Sequence, residues 1–193
     1  CCIDIVTSAV TSIRNYGDPL IIIRSTVVPG TCDLLNCYFM PEFLTEKNFI
    51  KDFINNPCWI FGLLNSDKDE LFKKQINVLI NNAYDAKRIK SNEISFINNK
   101  EAELVKYFKN CYLATKVSFC NEMYSICDKL NISYDTVKDL AVKDIRITNS
   151  HTSVPGPDGK FGYGGTCFPK DIHNLYSEMK KENIDSYILK SVI

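Results

Sequence analysis

The spacing of apolar residues changes near residue 98, and that change constrains the fold more than any other feature of the chain. Before it, short apolar runs alternate with helical patterns. Leu20 to Ile23 is a continuous run, as expected of a strand buried on both faces of a parallel sheet. Asn36 to Phe39 and Cys58 to Leu63 read as two further short strands, with a helical turn predicted between them at Pro41 to Glu46. Helical spacing covers Asp4 to Asn15, stopped by Gly17-Asp18-Pro19. It covers Asp67 to Asn81 as well, where Leu71, Phe72, Ile76, Leu79 and Ile80 fall on one side. After residue 98 the helical period persists through Val105, Phe108, Tyr112, Phe119, Met123, Ile126 and Leu130, predicting a helix of about thirty residues. A turn at Asn131-Ile132-Ser133 and a helix from Tyr134 to Val142 follow. The pattern predicts an α/β fold: a partial doubly wound parallel sheet over residues 1–95, then an all-helical domain with one long helix over residues 96–193.

Apolar residues make up 45% of the 193, enough for a real core. With 23 basic and 23 acidic residues the formal charge is zero, which argues against the basic footprint of a nucleic-acid-binding protein. The longest apolar runs are far too short to cross a bilayer, and residues 1–10 contain Asp4 and lack the basic start of a secretory signal. The nine cysteines include no C-x-x-C pair, and the chain has only two histidines, His151 and His173. That composition predicts no structural metal site and a reduced, cytoplasmic protein whose cysteines are mostly buried and inert.

Residues 161–171, Phe-Gly-Tyr-Gly-Gly-Thr-Cys-Phe-Pro-Lys-Asp, concentrate the chemistry. The glycines permit close approach of backbone to a ligand. Pro169 suits the first position of a helix, which places Cys167 at or near a helix N-terminus, where the dipole favours the thiolate. Lys170 and Asp171 add a cation and a carboxylate within one turn, a combination suited to covalent catalysis on a carbonyl. The plain alternative is a buried cysteine behind a glycine turn. A Cys-His dyad is disfavoured, because His173 lies on another face of the same helix and His151 reaches the thiol only through unspecified loop folding.

This string and its context resemble the UDP-glucose/GDP-mannose dehydrogenase family. Further blocks match in order. They are Arg24-Ser25-Thr26-Val27-Val28-Pro29-Gly30-Thr31, Met40-Pro41-Glu42-Phe43-Leu44-Thr45-Glu46, Glu103-Leu104-Val105-Lys106-Tyr107-Phe108-Lys109-Asn110 and Asp144-Ile145-Arg146-Ile147. Val154-Pro155-Gly156-Pro157-Asp158-Gly159 then leads into the cysteine loop and is most like the family's UDP-glucose-oxidising members. The resemblance runs across almost the whole chain. It implies an NAD-dependent four-electron oxidation of a nucleotide sugar at C6, UDP-glucose to UDP-glucuronate, by a homodimer paired through the long helix. A sister activity on GDP-mannose or a UDP-N-acetylhexosamine, or a non-catalytic dimerisation module, are the alternatives. The chain begins Cys1-Cys2-Ile3, ends inside an apparently helical pattern and contains no G-x-G-x-x-G. It is therefore expected to be the middle of a longer enzyme, with weak or no NAD binding by these residues alone.

The resemblance also assigns roles. Cys167 is the nucleophile. Lys106, four residues before Asn110 on the long helix, stabilises the developing oxyanion or takes the C6 hydroxyl proton; Asn110 donates to the same oxygen, and Asp171 orients the attacking water. Glu42 is the base for thioester hydrolysis and Thr26 holds the hydrolytic water. Ser25, Thr26, Glu46 and Lys170 face the cofactor, although Lys170 alone is equally suited to a neighbouring carboxylate. Phe43, Leu44, Arg146, Phe161, Tyr163, Gly164 and Gly165 line the substrate, with Arg146 acting across the dimer. Relatives commonly carry Lys where this chain has Arg24, which keeps the charge and alters hydrogen-bond geometry.

Overall fold

The computed structural model describes residues 3–45 and 47–193, and its contacts divide into two compact units between Lys106 and Tyr107. In the first unit, α1 (Ile3–Arg14) precedes β1 (Ile22–Ile23), α2 (Thr31–Leu34), β2 (Tyr38–Phe39) and α3 (Phe49–Ile54). Next come β3 (Trp59–Leu63), α4 (Asp69–Asp85) and β4 (Ile94–Asn98), and α5 (Asn99–Lys129) begins without an intervening loop. The strands form one sheet in the order β1-β2-β3-β4. The α/β class read from the sequence holds. The sheet is mixed: β1 and β2 run parallel, β3 and β4 run parallel, and β2 meets β3 antiparallel with Phe39 opposite Gly62.

Both faces of the sheet are covered. Trp59, Phe61 and Leu63, alternate residues of β3, point to one face and pack with Phe72, Ile76 and Ile80, which recur every four residues on α4. Burying a side chain such as Phe72, 1% exposed, contributes about 1.5–3 kcal/mol. Tyr38 stacks on it, ring centroids 3.6 Å apart, and donates its hydroxyl to Asp69 at 3.1 Å. That burial pushes the Tyr38 phenol up to about 12. On the other face Ile23, Val27, Cys32, Cys37 and Phe39 pack with Val10 of α1 and Ala102 of α5. Gly62 allows the close approach on this side, because a Cβ there would lie 2.4 Å from Asn99 Oδ1 and 2.8 Å from Asn99 Cα.

Several local expectations are corrected. Residues 41–45 carry no helical turn, so the one-face pairing of Glu42 with Glu46 loses its basis, and Glu46 itself lies outside the described residues. Leu71 and Leu79 do not join the buried side of α4; they are 53% and 61% exposed, since only positions 72, 76 and 80 meet the sheet. The first two strands are shorter than read, and β4 had no counterpart in the sequence reading.

In the second unit α5 continues, followed by α6 (Tyr134–Ala141), α7 (Cys167–Lys181) and α8 (Tyr187–Val192). Ser133 caps α6, its hydroxyl accepting the Thr136 N–H at 3.2 Å. Cys111 and Ala114 of α5 pack with Ile172 of α7, while Cys120 and Cys127 pack with Tyr134. Tyr107 of α5 is fully buried, and Met123 and Tyr124 pack against the Cys120, Cys127 and Tyr134 cluster, whereas Phe108, Tyr112, Phe119 and Ile126 are exposed. These four, part of the stripe that identified the helix in the sequence, therefore lie on its uncovered face. Among the described residues no helix is long and apolar enough to cross a membrane.

Candidate active site

In the second unit the candidate chemistry surrounds the start of α7. Cys167 is the first residue of that helix and, among the described residues, the one exposed cysteine. Pro169 occupies the third helical position rather than the first; the missing N–H is tolerated anywhere in the first turn. Gly162 and Gly165 adopt φ values of 77° and 75°, a region that favours glycine, and they turn the chain into the helix. The loop is tied down. Gly162 N–H donates to Asn121 Oδ1 at 2.9 Å, Tyr163 donates its hydroxyl to the Val192 carbonyl at 2.7 Å, and Phe161 meets Tyr124 edge-on at 5.3 Å.

One turn after Cys167, Asp171 is fully buried. Its carboxylate accepts the Asn110 amide at 2.6 Å and pairs with the ammonium of Lys170. A buried carboxylate needs such partners, because desolvating it alone is expensive. Of the two partners left open for Lys170, the neighbouring carboxylate is the one it meets. Tyr107 is buried in the same unit, and both burial and the Asp171 charge hold its phenol in the protonated form. Burial, with the same charge, pushes the Cys111 thiol up to about 12. Cys111 is therefore an inert packing group, buried like Cys120 and Cys127 of the same helix, while Cys167 of α7 faces solvent.

In the first unit a second set lies past the carboxyl end of β1, the edge where open α/β sheets bind ligands. Arg24 and Ser25 are exposed and Thr26 is half-buried. Lys106 is almost fully buried, with its side chain 6% exposed, against the ordinary expectation for a helical lysine. Its ammonium donates to the Glu42 backbone carbonyl, lies 3.6 Å from the Glu42 carboxylate and sits 5.5 Å from the centre of the Phe43 ring. The Glu42 carboxylate also accepts the N–H of half-buried Leu44. Lys106, Glu42 and Phe43 are thus brought together.

Arg146 is exposed and spends its Nε and one terminal nitrogen on Asp144 at 2.5–3.1 Å. Gly164 lies beside Asp158, whose carboxylate a Cβ there would meet at 3.1 Å. Four residues around these sets were not singled out individually in the sequence. Asn121 anchors the cysteine loop. Tyr107 is buried in the unit that holds Asp171. Asn99 and Glu103, both fully buried, hold the segment after Thr26. Glu103 and Tyr107 stand inside the Glu103–Asn110 block, so the block itself was the available signal.

Residues 100–193 match the UDP-glucose/GDP-mannose dehydrogenase family, central domain. A UDP-glucose 6-dehydrogenase of Rickettsia bellii is 34% identical over 94% of this chain and 42% of its own length, and one of Rickettsia prowazekii is 35% identical over 91% and 40%. The chain thus spans about two fifths of the length of these curated relatives. Among solved structures, a UDP-glucose dehydrogenase from the hyperthermophilic archaeon Pyrobaculum islandicum superposes with a TM-score of 0.78 at 26% identity, covering 97% of this chain and 44% of that one. These matches run through the Cys167 loop, the Lys106–Asn110 helix and the β1 edge, and the chain belongs to the UDP-glucose/GDP-mannose dehydrogenase family.

Proposed function

We propose that the protein carrying this chain oxidises UDP-glucose at C6 to UDP-glucuronate with NAD, through a covalent intermediate on Cys167. One observation carries the reading: Cys167, the exposed cysteine among the described residues, opens α7, with the buried Asp171–Asn110 pair one turn along. Residues 1–95 are assigned to the second half of a dinucleotide-binding domain and residues 96–193 to the central helical domain. The residues present suit part of the cofactor only. The hydroxyls of Ser25 and Thr26 follow β1, while no glycine-rich pyrophosphate loop occurs and Lys170 is engaged by Asp171. When bound, NAD supplies the hydride acceptor for both oxidations, so that one alcohol, one water and two NAD⁺ give one carboxylate, two NADH and three protons.

The chain's own groups do the rest. Cys167 Sγ attacks the C6 aldehyde, the carbonyl electron pair moves to oxygen, and that oxygen takes a proton to complete a thiohemiacetal. Lys106 and Asn110 retain N–H donors beyond those directed at Glu42 and Asp171, and these are assigned to the C6 oxygen. In thioester hydrolysis Thr26 and Asp171 hold the water and Glu42 removes its proton. Hydroxide adds to the carbonyl carbon, the C–S bond breaks and the Cys167 thiolate leaves. Phe43, Leu44, Phe161, Tyr163, Gly164 and Gly165 are assigned to the sugar, and Arg146, once released from Asp144, to the pyrophosphate. The exposed Phe108, Tyr112, Phe119 and Ile126 support pairing of two copies through α5.

The test offers UDP-glucose, GDP-mannose and UDP-N-acetylhexosamines separately to the chain extended by its native flanking sequence, counting NADH per sugar. Two NADH per UDP-glucose, with little turnover of the others, is the expected result. Preference for another sugar moves the substrate assignment to a sister activity. No turnover of any leaves a dimerisation module.

A further inference from the structure

Glu103 is a fully buried carboxylate with no part in the chemistry above. Its two oxygens each accept a backbone N–H, from Gly30 at 2.5 Å and from Cys32 at 2.9 Å. Burial raises its pKa, and the two N–H donors oppose that shift. One turn earlier on α5, Asn99, also fully buried, donates to the Cys37 carbonyl at 3.0 Å and to Asp33 at 2.8 Å. The first turns of α5 thus grip the segment Gly30–Cys37 at both ends. An apolar side chain at 103 would avoid desolvating a charge, yet it would leave two N–H groups without their acceptor.

The same stretch of helix carries Lys106, about 4.5 Å further along the axis. Lys106 holds the Glu42 segment through the Glu42 carbonyl and carboxylate. In the other direction only Val27, Val28 and Pro29 separate Thr26 from Gly30, and Val27 is buried at 1% exposure. Two loops, one bearing Thr26 and one bearing Glu42, are therefore fastened to one rigid stretch of about two helical turns.

We propose that Glu103 is a positioning residue that sets Thr26 against Lys106 and Glu42 by fixing the 26–32 segment to α5. The proposal rests on the reading that those three residues serve the dehydrogenase reaction. Glutamine at 103 keeps the shape but offers one acceptor, so its amide meets one of the two N–H groups donor to donor. The segment then moves off the helix, and Thr26 moves with it.

Two readouts test this in the chain with its native flanks. In Glu103→Gln, kcat for UDP-glucose falls about tenfold to a hundredfold while KM stays within about twofold, as for misplacement of reacting groups rather than loss of binding. Independently of turnover, hydrogen exchange at the Gly30 and Cys32 amides, followed by peptide mass, accelerates about tenfold, since these are the N–H groups Glu103 accepts. Glu103→Asp keeps the charge and both acceptor oxygens and restores part of each, and it decides the matter if the glutamine variant does not fold. The proposal is overturned if the folded variant keeps wild-type kcat, or if the Gly30 and Cys32 amides stay as protected as before. Inactivity of the unmutated protein would instead sink the dehydrogenase reading, and the proposal with it, whereas an active wild type with unchanged variants sinks this proposal alone.

Discussion

The side-chain amide of Asn110 donates to the Asp171 carboxylate at 2.6 Å, with both residues buried and Asp171 one helical turn after Cys167. Besides Lys170, this is the partner that keeps the carboxylate satisfied. Asn110→Ala removes it without supplying a substitute, so urea denaturation should register a loss of about 1–3 kcal/mol. Turnover should fall with it. A loss below the error of the measurement would mean that Lys170 alone suffices.

Gly62 lies where β3 passes α5. A methyl group at this position would overlap Asn99 Oδ1 and Asn99 Cα and come within 3.2 Å of the Ala102 Cβ. Since Asn99 Cα is helix backbone, it cannot turn aside. Gly62→Ala should destabilise the first unit by about 1–3 kcal/mol through overpacking. A thermal midpoint equal to that of the parent would show that α5 shifts freely.

His151 stands in the left-handed region at φ 62°, beside Phe168 at 5.7 Å between ring centres. Loss of solvent around the ring, and then the Lys116 charge, hold its pKa below the ordinary 6.5. The folded state therefore prefers the neutral ring. Below pH 6.5 the unfolded chain takes up the proton first, so the stability present above that pH is lost as pH falls through the folded pKa. The thermal midpoint should drop on going from about pH 7.5 to about pH 5.5, by less in His151→Asn, a residue that tolerates the same backbone. Identical pH profiles for parent and variant would contradict this.

Tyr112, Phe119 and Ile126 recur every seven residues on the uncovered face of α5, with Phe108 one turn before them. That spacing is a seam for a second helix. Sedimentation should find a dimer for the parent and a monomer for Tyr112→Glu/Phe119→Glu. A double variant that still dimerises would place the interface elsewhere.

The long helix was legible because its apolar period runs for many turns, and period is what a sequence displays most directly. The strand Ile94–Asn98 was not, since five residues leading straight into α5 carry no turn signal of their own. Leu71 and Leu79 misled for a different reason: helical spacing reports a side, not which members of it a sheet covers. At the candidate site, Cys167 and Lys106 were singled out from motif context. Glu103 was not, because an acidic residue on a helix reads as a solvated one until its N–H partners, 71 and 73 residues away, are brought to it by folding.

The proposed mechanism stands on a bond between Cys167 and the substrate carbon. Acid-quenching the flank-extended protein during turnover of UDP-glucose, then weighing the peptide that contains Cys167, tests it most directly. That peptide should carry the mass of the sugar nucleotide as a thioester, released by hydroxylamine and missing in Cys167→Ala. An unmodified peptide throughout turnover, or a Cys167→Ala variant that still forms two NADH per UDP-glucose, would contradict it.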